Sequence, residues 1–381
     1  MARELGQGGS ERQLAEIAKA LDGSRFSVHV GCFRPGGFRS AELSSKGIPI
    51  AHFPVYSLRS LSAVRGAWQL GKYIRRHGIL LVHTFDTPMN CFAVPAARAF
   101  RTPVVVSSQR ASRRLSSRPE QFVLRVTDHL VDAVVVNCEA IRRHMIEDEG
   151  VEEQRLHTCY NGLDTGLFRR GSKQLPPALA GASIVIGVVC ALRPEKGLPT
   201  LVEAFAKTLS SYPADRRSRI RLAIIGSGPM LGPLQQRSVE LGVREYCHFE
   251  PSTADVTSWL RAIDIFVLPS LSEALSNSLM EAMACGCAVV ASAVGGNPEL
   301  VSDRATGFLF QAGNASELAE CLKRLIADED LRARFGAASS DRVRQHFSLE
   351  TSVRRMQDIY DELLERKVRT IELPRNQGKE V

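Results

Sequence analysis

The sequence lacks the features that mark several large classes of protein. No apolar run approaches the ~20 residues that a membrane-spanning helix needs, and the N-terminal residues contain no apolar signal-peptide core. The nine cysteines form no CxxC pair and no spacing typical of a zinc site. We therefore expect a cytoplasmic globular protein whose cysteines are small buried side chains in a reducing compartment, and not disulfides or metal ligands.

Aromatic residues are scarce, and positive charge is unevenly placed. Aromatics make up 6% of the chain and do not alternate with its basic stretches, which argues against a nucleic-acid partner. Residues 1–170 contain 24 Lys and Arg against 16 Asp and Glu, whereas residues 171–381 contain 25 of each. The whole excess of +8 lies in the first half, which favours an anionic membrane surface or a phosphate-bearing acceptor there. A surface that is basic only for solubility is the alternative.

Alternating apolar runs and helical patterns predict an α/β fold with doubly wound parallel sheets. A chain of 381 residues is long for one core. We expect a Rossmann-like domain over residues 1–170, a second over residues 171–347, and a cleft between them. Residues 348–381 are expected to form a C-terminal helix that packs back on the first domain, followed by a tail.

The first domain begins with a glycine-rich loop, Gly6–Gly9, and a helical pattern after it. Gly8 and Gly9 are candidates for a phosphate or sugar cradle, with Ser10 as the helix cap. A strand is expected before such a loop, but only five residues precede Gly6. Either the first strand is missing or the chain begins further upstream.

The most informative stretch runs from Pro269 to Glu281. It follows the apolar run Ile265–Leu268, so the pattern predicts a buried strand, a loop and a helix. Glu273 lies at the helix mouth and Glu281 two turns further along. Ligands of open α/β sheets bind beyond the carboxyl ends of strands, and unpaired amides of a first helical turn favour anions. A ligand with both phosphates and hydroxyls, such as a nucleotide sugar, fits this pattern, although two ordinary helix carboxylates would look the same. The first-turn residues are Asn277, Ser278 and Leu279.

Two further loops of the second half contain cations or glycines at predicted strand ends. Arg193 and Lys196 would supply positive charge for a diphosphate, which stabilises negative charge on a departing group. Gly226 begins the loop Gly226–Pro229, which lacks the full dinucleotide fingerprint. Taken singly, the lysine is more often a surface residue and the glycines more often a tight turn.

Together, these loops resemble a known family. The residues from Asp264 to Phe310 are similar to the C-terminal signature of the retaining glycosyltransferases of family 4, group 1, which have the GT-B fold. Glu273 and Glu281 match the two-glutamate motif of that family. Four other segments match its further signatures: Ala282–Gly286, Gly295–Val301, Arg193–Gly197 and Asn161–Asp164.

The resemblance implies a role for each site residue. Glu281 would hold the ribose hydroxyls of the donor, Glu273 would contact the transferred sugar, and Lys196 with an arginine would bind the diphosphate. The amides of Ser278 and Leu279 would assist. The resemblance also implies that no metal is essential.

This chain departs from the family pattern in three places. Ala191 occupies the position of the usual arginine, so Arg193 would have to replace it from another angle. Ala274 follows the first glutamate, where glycine is common. Ser107–Arg110 occupies the place where many members have a histidine beside the sugar.

Candidates for the acceptor side lie on the first half. Asp86 and His83 end a predicted strand, and Arg110 follows its neighbour. For His83, a structural role with bonds to backbone is favoured over a catalytic one.

The resemblance thus implies a retaining hexosyltransferase. Its donor would be a UDP- or GDP-linked sugar, and its acceptor a hydroxyl of a glycan or lipid-linked molecule in cell-surface polysaccharide, lipopolysaccharide or glycolipid synthesis. In the front-face mechanism of such enzymes the leaving phosphate helps to deprotonate the acceptor. Peripheral association with the inner membrane face is also expected. A sugar-nucleotide epimerase of the same architecture and a non-catalytic nucleotide-sugar-binding relic are the alternatives.

Overall fold

The structure, a computed structural model, describes residues 1–6, 8–113 and 116–372. Contacts divide the chain into two compact units. The first contains Met1–Gly162 together with the C-terminal segment from Leu349, and the second contains Leu163–Ser348. The boundary thus falls at residues 162 and 163, whereas the composition predicted it at 170.

The first unit contains two parallel sheets, and helices form most of the connections between their strands. Apolar runs form its strands, and amphipathic or capped segments form its helices. Its elements in chain order are β1 Ala2–Glu4, α1 Gly9–Ala20, β2 Val30–Arg34, α2 Phe38–Ser45, β3 Ile50–His52, α3 Leu61–Arg76, β4 Leu81–Thr84, α4 Thr87–Ala99, β5 Val104–Gln109, α5 Arg118–Leu130, β6 Ala133–Val136, α6 Glu139–Glu147, β7 Leu156–Thr158 and, after the second unit, α15 Leu349–Glu372.

A short first strand precedes the glycine-rich loop, so the prediction that this strand is missing is wrong. β1 pairs in parallel with β2, with Ala2 opposite Cys32. On its other side, the Phe85 N–H donates to Met1 O at 2.9 Å. The strands form two parallel sheets, of order β1-β2-β3 and β4-β5-β6-β7. The bond from Phe85 to Met1 O links the edge of the first sheet to the residue that follows β4.

The C-terminal helix α15 completes the core of the first unit. Its buried side chains Met356, Ile359, Tyr360 and Leu363 pack in the same cluster as Leu14 of α1. Since each contributes apolar area to one core, the helix is an integral part of this unit.

The second unit repeats the architecture with a six-stranded parallel sheet. Its order, β10-β9-β8-β11-β12-β13, places the first strand of the unit at the centre. The elements are β8 Ile184–Val189, α7 Leu198–Leu209, α8 Ala214–Arg217, β9 Ile220–Ile225, α9 Leu231–Glu240, β10 Cys247–Glu250, α10 Val256–Ala262, β11 Ile265–Leu268, α11 Asn277–Cys285, β12 Ala288–Ser292, α12 Asn297–Leu300, β13 Gly307–Phe310, α13 Ala315–Ala327 and α14 Glu329–His346. The strand order reverses between β8 and β11, which is where open α/β sheets bind ligands.

A buried ion pair fixes the loop between β5 and α5 in the first unit. Arg113 is among the largest fully buried side chains, and its two terminal nitrogens donate to the two carboxylate oxygens of Asp128 at 2.7 and 2.8 Å. Glu149 lies 3.4 Å from the same guanidinium. Bidentate geometry offsets the cost of burying both charges, and it anchors the loop to α5.

We expect Arg113→Ala to lower the free energy of unfolding of the first unit by about 3–5 kcal/mol, because Asp128 would remain buried without its cation. Urea unfolding followed by circular dichroism measures this. Arg125→Ala is the matched control, since the Arg125 side chain also pairs with Glu149 at 2.8 Å but is 55% exposed. Its removal should cost far less, because an exposed ion pair contributes little to stability. Equal costs for the two variants would contradict the buried-pair assignment.

Candidate functional site

Two of the predicted residues meet in the second unit. Lys196 Nζ donates to Glu273 Oε2 at 2.7 Å, and Ser270 Oγ donates to the same oxygen at 3.1 Å. Lys196 follows β8 and Glu273 follows β11, the two strands between which the order reverses. The pair therefore lies at the topological switch point, where a ligand of this sheet would bind.

The ion pair is largely withdrawn from solvent. The side chains of Lys196 and Glu273 are 19% and 13% exposed. Burial lowers the pKa of Lys196, but the charge of Glu273 and the hydrogen bond between them raise it, and the net shift is upward from 10.5. A raised lysine pKa means that the ammonium charge persists throughout the neutral range and is lost only above 10.5.

Backbone hydrogen bonds hold the loop that contains Glu273. The Leu271 N–H donates to Glu195 O at 2.8 Å, which ties this loop to the one that presents Lys196. Ser292 Oγ donates to Ser270 O at 2.6 Å, and the Gly296 N–H donates to Ala274 O at 2.7 Å. The site is therefore fixed before any ligand arrives, a property that electrostatic stabilisation requires.

Close approach of the backbone explains two of the glycines. Gly295 has a φ of +53°, and a Cβ there would lie 1.8 Å from Glu273 O. Gly226, one of the predicted donor-binding residues, has a φ of +144°, and its Cβ would lie 1.9 Å from Cys190 O. Gly295 thus allows the loop after β12 to approach the loop of Glu273. Gly226 allows the loop after β9 to approach the loop of Lys196.

Helix α11 begins where the sequence places it. Ser276 is its cap, and the Leu279 N–H donates to Ser276 Oγ at 3.3 Å. Because the Leu279 N–H already bonds to Ser276 Oγ, a ligand could accept from this N–H only by displacing that hydroxyl. Asn277 and Ser278 form the first turn, and the Glu281 side chain lies one turn beyond, in a residue that is only 5% exposed.

Sequence reasoning missed two serines of this site. Ser270 donates to Glu273, and Ser276 caps α11. Ser276 could have been found, because serine directly before a good helix-forming segment is the usual cap. Ser270 had no comparable signal, since its partner is defined by the loop conformation.

Arg193 lies apart from the ion pair. It precedes the short 3₁₀ turn Pro194–Lys196, its side chain is 65% exposed, and its Nη1 is 3.9 Å from Glu195 Oε1. The proposal that Arg193 replaces the usual arginine of the family therefore stays a prediction.

The first unit has its own cavity at a switch point, between β1 and β4. Its volume is about 260 Å³, and its lining includes Asp86 and Arg110 at the ends of β4 and β5. Ser10 and Glu11 of α1 also line it. Gly8 caps α1 and Gly9 begins it, so the helix starts two residues earlier than a Ser10 cap would give. Both predicted glycines thus lie in the first unit, at the start of α1.

Asp86 and His83 are held by hydrogen bonds within the unit. Asp86 Oδ1 accepts from the Met89 N–H and caps α4, and burial raises the pKa of its carboxyl. The two ring nitrogens of His83 lie 2.6 Å from the Tyr360 hydroxyl and 2.8 Å from the Ser108 hydroxyl. Burial, with the nearby Arg110 charge, holds the pKa of His83 well below 6.5. The predicted structural role thus uses side-chain hydroxyls, and not the backbone.

Arg110 is a cation surrounded by neutral groups. Its Nη1 donates to Asn161 Oδ1 at 2.7 Å, and its guanidinium carbon lies 5.0 Å from the centre of the Phe85 ring. Its Nε is buried and has no hydrogen-bond partner among the described residues. Burial lowers the pKa of Arg110 to about 10, so it remains charged at neutral pH. A buried cation of this kind favours an anionic ligand.

The described ranges contain neither a metal-binding cluster nor a membrane-spanning helix. Within residues 1–6, 8–113 and 116–372, no group of three or more His, Cys, Asp or Glu side chains has an arrangement that could hold a metal ion. Over the same part of the chain, no helix combines the length and apolar character needed to cross a membrane.

We expect Gly295→Ala to destabilise the second unit by about 1–3 kcal/mol more than Gly313→Ala, because only the first Cβ would overlap a backbone oxygen. Gly313 is the matched control: its φ of +79° brings the same conformational strain, but the space around it is open. Thermal unfolding of the two variants measures the difference. A Gly295→Ala protein as stable as Gly313→Ala would show that the contact with Glu273 O is not close.

Two family models match the chain. The model described as Glycosyl transferases group 1 matches residues 176–342, and the model described as Glycosyltransferase Family 4 matches residues 7–167. The first covers the Lys196–Glu273 pair, and the second covers the cavity of the first unit.

The chain is also similar to curated relatives described as D-inositol 3-phosphate glycosyltransferases. The protein of Corynebacterium aurimucosum is 29% identical over 276 residues, which cover 69% of this chain and 64% of the relative. The protein of Streptomyces griseus is 30% identical over 311 residues, which cover 75% of this chain and 62% of the relative. The chain thus spans slightly less than two thirds of each of these relatives.

Solved structures share the fold. HepE of Anabaena, crystallised in complex with UDP, superimposes with a TM-score of 0.79 at 23% identity, over 95% of this chain and 99% of HepE. Sucrose-phosphate synthase of Thermosynechococcus elongatus gives a TM-score of 0.76 at 19% identity, over 96% and 100% of the two chains. The chain belongs to the family 4, group 1 glycosyltransferases and has the GT-B fold.

Proposed function

We propose that this glycosyltransferase is a retaining hexosyltransferase that uses a nucleoside diphosphate sugar. The observation that carries the proposal is the buried Lys196–Glu273 pair at the switch point of the second unit. Lys196 has three N–H donors, of which Glu273 accepts one, so two remain for diphosphate oxygens. UDP is the first donor nucleotide to test, since structures of HepE contain UDP and UDP-glucose. GDP is the alternative.

In the proposed reaction, the bond between the anomeric carbon and the diphosphate oxygen breaks, and the acceptor oxygen attacks the same face of that carbon. The acceptor proton passes to the leaving phosphate. Lys196 stabilises the charge that accumulates on the diphosphate, and Ser278 at the start of α11 adds a backbone N–H. Glu273 orients Lys196 and accepts a hydroxyl of the sugar, while Glu281 accepts ribose hydroxyls.

This mechanism requires no separate general base. His83 is a poor candidate for one, because both of its ring nitrogens already contact hydroxyls of Tyr360 and Ser108. No metal cofactor is proposed either, since Lys196 supplies the positive charge that a metal would bring to the diphosphate.

The acceptor is proposed to bear a phosphate. Arg110 supports this, as a mostly buried cation with neutral partners beside a cavity of the first unit. The names of the relatives point the same way, because D-inositol 3-phosphate is itself a phosphate-bearing polyol. Asp86 lines the same cavity and would accept a hydroxyl of the acceptor.

The distribution of charge supports a proposed cellular role. A lipid-linked or glycan acceptor in cell-surface polysaccharide, lipopolysaccharide or glycolipid synthesis would bring the enzyme to the inner face of the membrane. The excess of basic residues in residues 1–170 supports such a peripheral location, because anionic lipids attract them.

We expect Lys196→Met and Glu273→Gln each to lower the rate of sugar transfer at least about 100-fold. The first change removes the charge that acts on the diphosphate, and the second removes the charge that acts on Lys196. Release of nucleoside diphosphate from a panel of nucleotide sugars, with a glycolipid extract as acceptor, measures transfer. EDTA should leave wild-type turnover unchanged.

Lys207→Met is the control, since it removes an exposed lysine from α7, away from the loop of Lys196. Near-wild-type turnover in both Lys196→Met and Glu273→Gln would refute the site. A changed sugar without release of nucleoside diphosphate would indicate epimerisation instead of transfer.

We expect Arg110→Gln to raise the KM for a phosphate-bearing acceptor at least about tenfold, because a charge-assisted contact to phosphate is lost. Hydrolysis of the donor in water should change little. Arg101→Gln is the matched control, because Arg101 is an exposed arginine of the same unit just before β5. Equal KM values for the phosphate-bearing acceptor and its dephosphorylated form would contradict an anion-binding role.

A further inference from the structure

Helix α3 has an unusual distribution of side chains. Its buried face consists of Gly66, Leu70, Gly71 and Ile74. Its opposite face has Leu61, Val64 and Trp68 at helical spacing, and all three are exposed, Leu61 at 86% and Trp68 at 56%. Large apolar groups thus point away from the core of the unit, where they gain nothing from its folding.

Close packing fixes the orientation of this helix. A Cβ at Gly71 would lie 2.2 Å from the ring of Phe100, and one at Gly66 would lie 2.5 Å from Val55 Cγ2. The glycines therefore allow α3 to approach its neighbours too closely for larger side chains on that face. Rotation that buried Leu61 and Trp68 would bring those side chains into the same contacts, so the exposed face is enforced by packing.

The loop before α3 extends the apolar face. Tyr56 is 87% exposed, and Leu58 is exposed too. The Tyr56 N–H donates to Ser62 Oγ at 3.2 Å, and Ser60 Oγ donates to Ser57 O at 2.9 Å. The loop is therefore ordered while its apolar side chains face solvent. Contiguous exposed apolar groups of this kind typically mark an interaction surface.

The charged residues of the segment that forms this face all have one sign. Between Glu42 and Asp86 the chain contains no Asp or Glu. The same interval contains six Lys and Arg, of which five are exposed in or next to α3: Arg59, Arg65, Lys72, Arg75 and Arg76. Lys72 Nζ lies 5.1 Å from the centre of the Trp68 ring, so cation and aromatic groups adjoin.

We propose that this face, the α3 surface, docks on an anionic lipid bilayer. It comprises Tyr56, Leu58, Leu61, Val64 and Trp68 with the five basic residues just named. An apolar centre with Trp and Tyr, bordered by Lys and Arg alone, complements an interface of acyl chains and negative headgroups. A protein partner is less favoured, because a surface with no acidic residue would restrict it to acidic proteins.

The docking proposal rests on the proposed function in one respect only. Docking would bring the acceptor cavity of the first unit to lipid-linked acceptors. Docking itself is measured without donor or acceptor. A failure of docking and a failure of transfer are therefore distinguishable.

The test is flotation of the full chain with vesicles of phosphatidylcholine and phosphatidylglycerol, compared with phosphatidylcholine alone. Arg65→Glu/Lys72→Glu should lose at least about tenfold in partitioning, because each basic side chain near an anionic leaflet contributes a factor of about five. Leu61→Ser/Trp68→Ser should lose a similar factor, because it removes the apolar contacts. Salt at ~1 M should weaken wild-type binding, since the Debye length falls to ~3 Å.

Arg219→Glu/Arg334→Glu is the matched control, with the same change of charge at exposed positions of the second unit. It should bind vesicles like the wild type. Donor hydrolysis and thermal midpoints should be the same in all variants. Vesicles should also shift the tryptophan emission of the wild type to the blue but not that of Trp68→Phe, because the other tryptophan, Trp259, is buried.

Three results would overturn the proposal. One is equal flotation with and without phosphatidylglycerol. Another is wild-type binding in both α3 variants. The last is self-association in light scattering, without vesicles, that the α3 variants abolish, because the occupant would then be a second copy of the chain.

Discussion

The burial of the Lys196–Glu273 ion pair is the constraint on which the second unit depends. Removing two charges from water costs more free energy than the attraction within a loosely held ion pair offsets. The buried pair is therefore stable only if its geometry is fixed. Backbone bonds from Leu271 and Gly296, the Ser292 hydroxyl and the close contact at Gly295 fix it. The strand order places both loops at one sheet edge, and the site is a consequence of that order.

The first unit has the same kind of switch point with different chemistry. There the cation, Arg110, has an amide and an aromatic ring as partners in place of a carboxylate. Among the described residues, the nearby Asp86 carboxylate accepts a backbone N–H as the cap of α4 and forms no salt bridge with Arg110. A compensated pair suits a site that must remain assembled without a ligand. An uncompensated cation suits a site whose charge the ligand itself completes.

The local pattern of the sequence predicts many of the helices and strands. Ala133–Val136 is a strand and Glu139–Glu147 a helix, as a short apolar run and the helical spacing after it indicate. Helix α2 was not predicted, since Leu43 is its one buried residue and gives no periodic signal. The apolar pattern from Phe26 to Phe33 is that of one strand, but β2 starts at Val30, because Phe26 and Val28 pack on the core without joining the sheet.

Contacts over long separations set the remaining limit. Lys196 and Glu273 are 77 residues apart, and their pairing follows from strand order, which no local spacing encodes. The exposure of Arg193 is likewise a matter of loop conformation. For α3, the sequence shows an amphipathic pattern but not which face is buried. Glycine decides this, because at Gly71 it lets the helix approach Phe100 and leaves the large apolar side chains on the outer face. A pattern that elsewhere marks a core therefore marks a surface here.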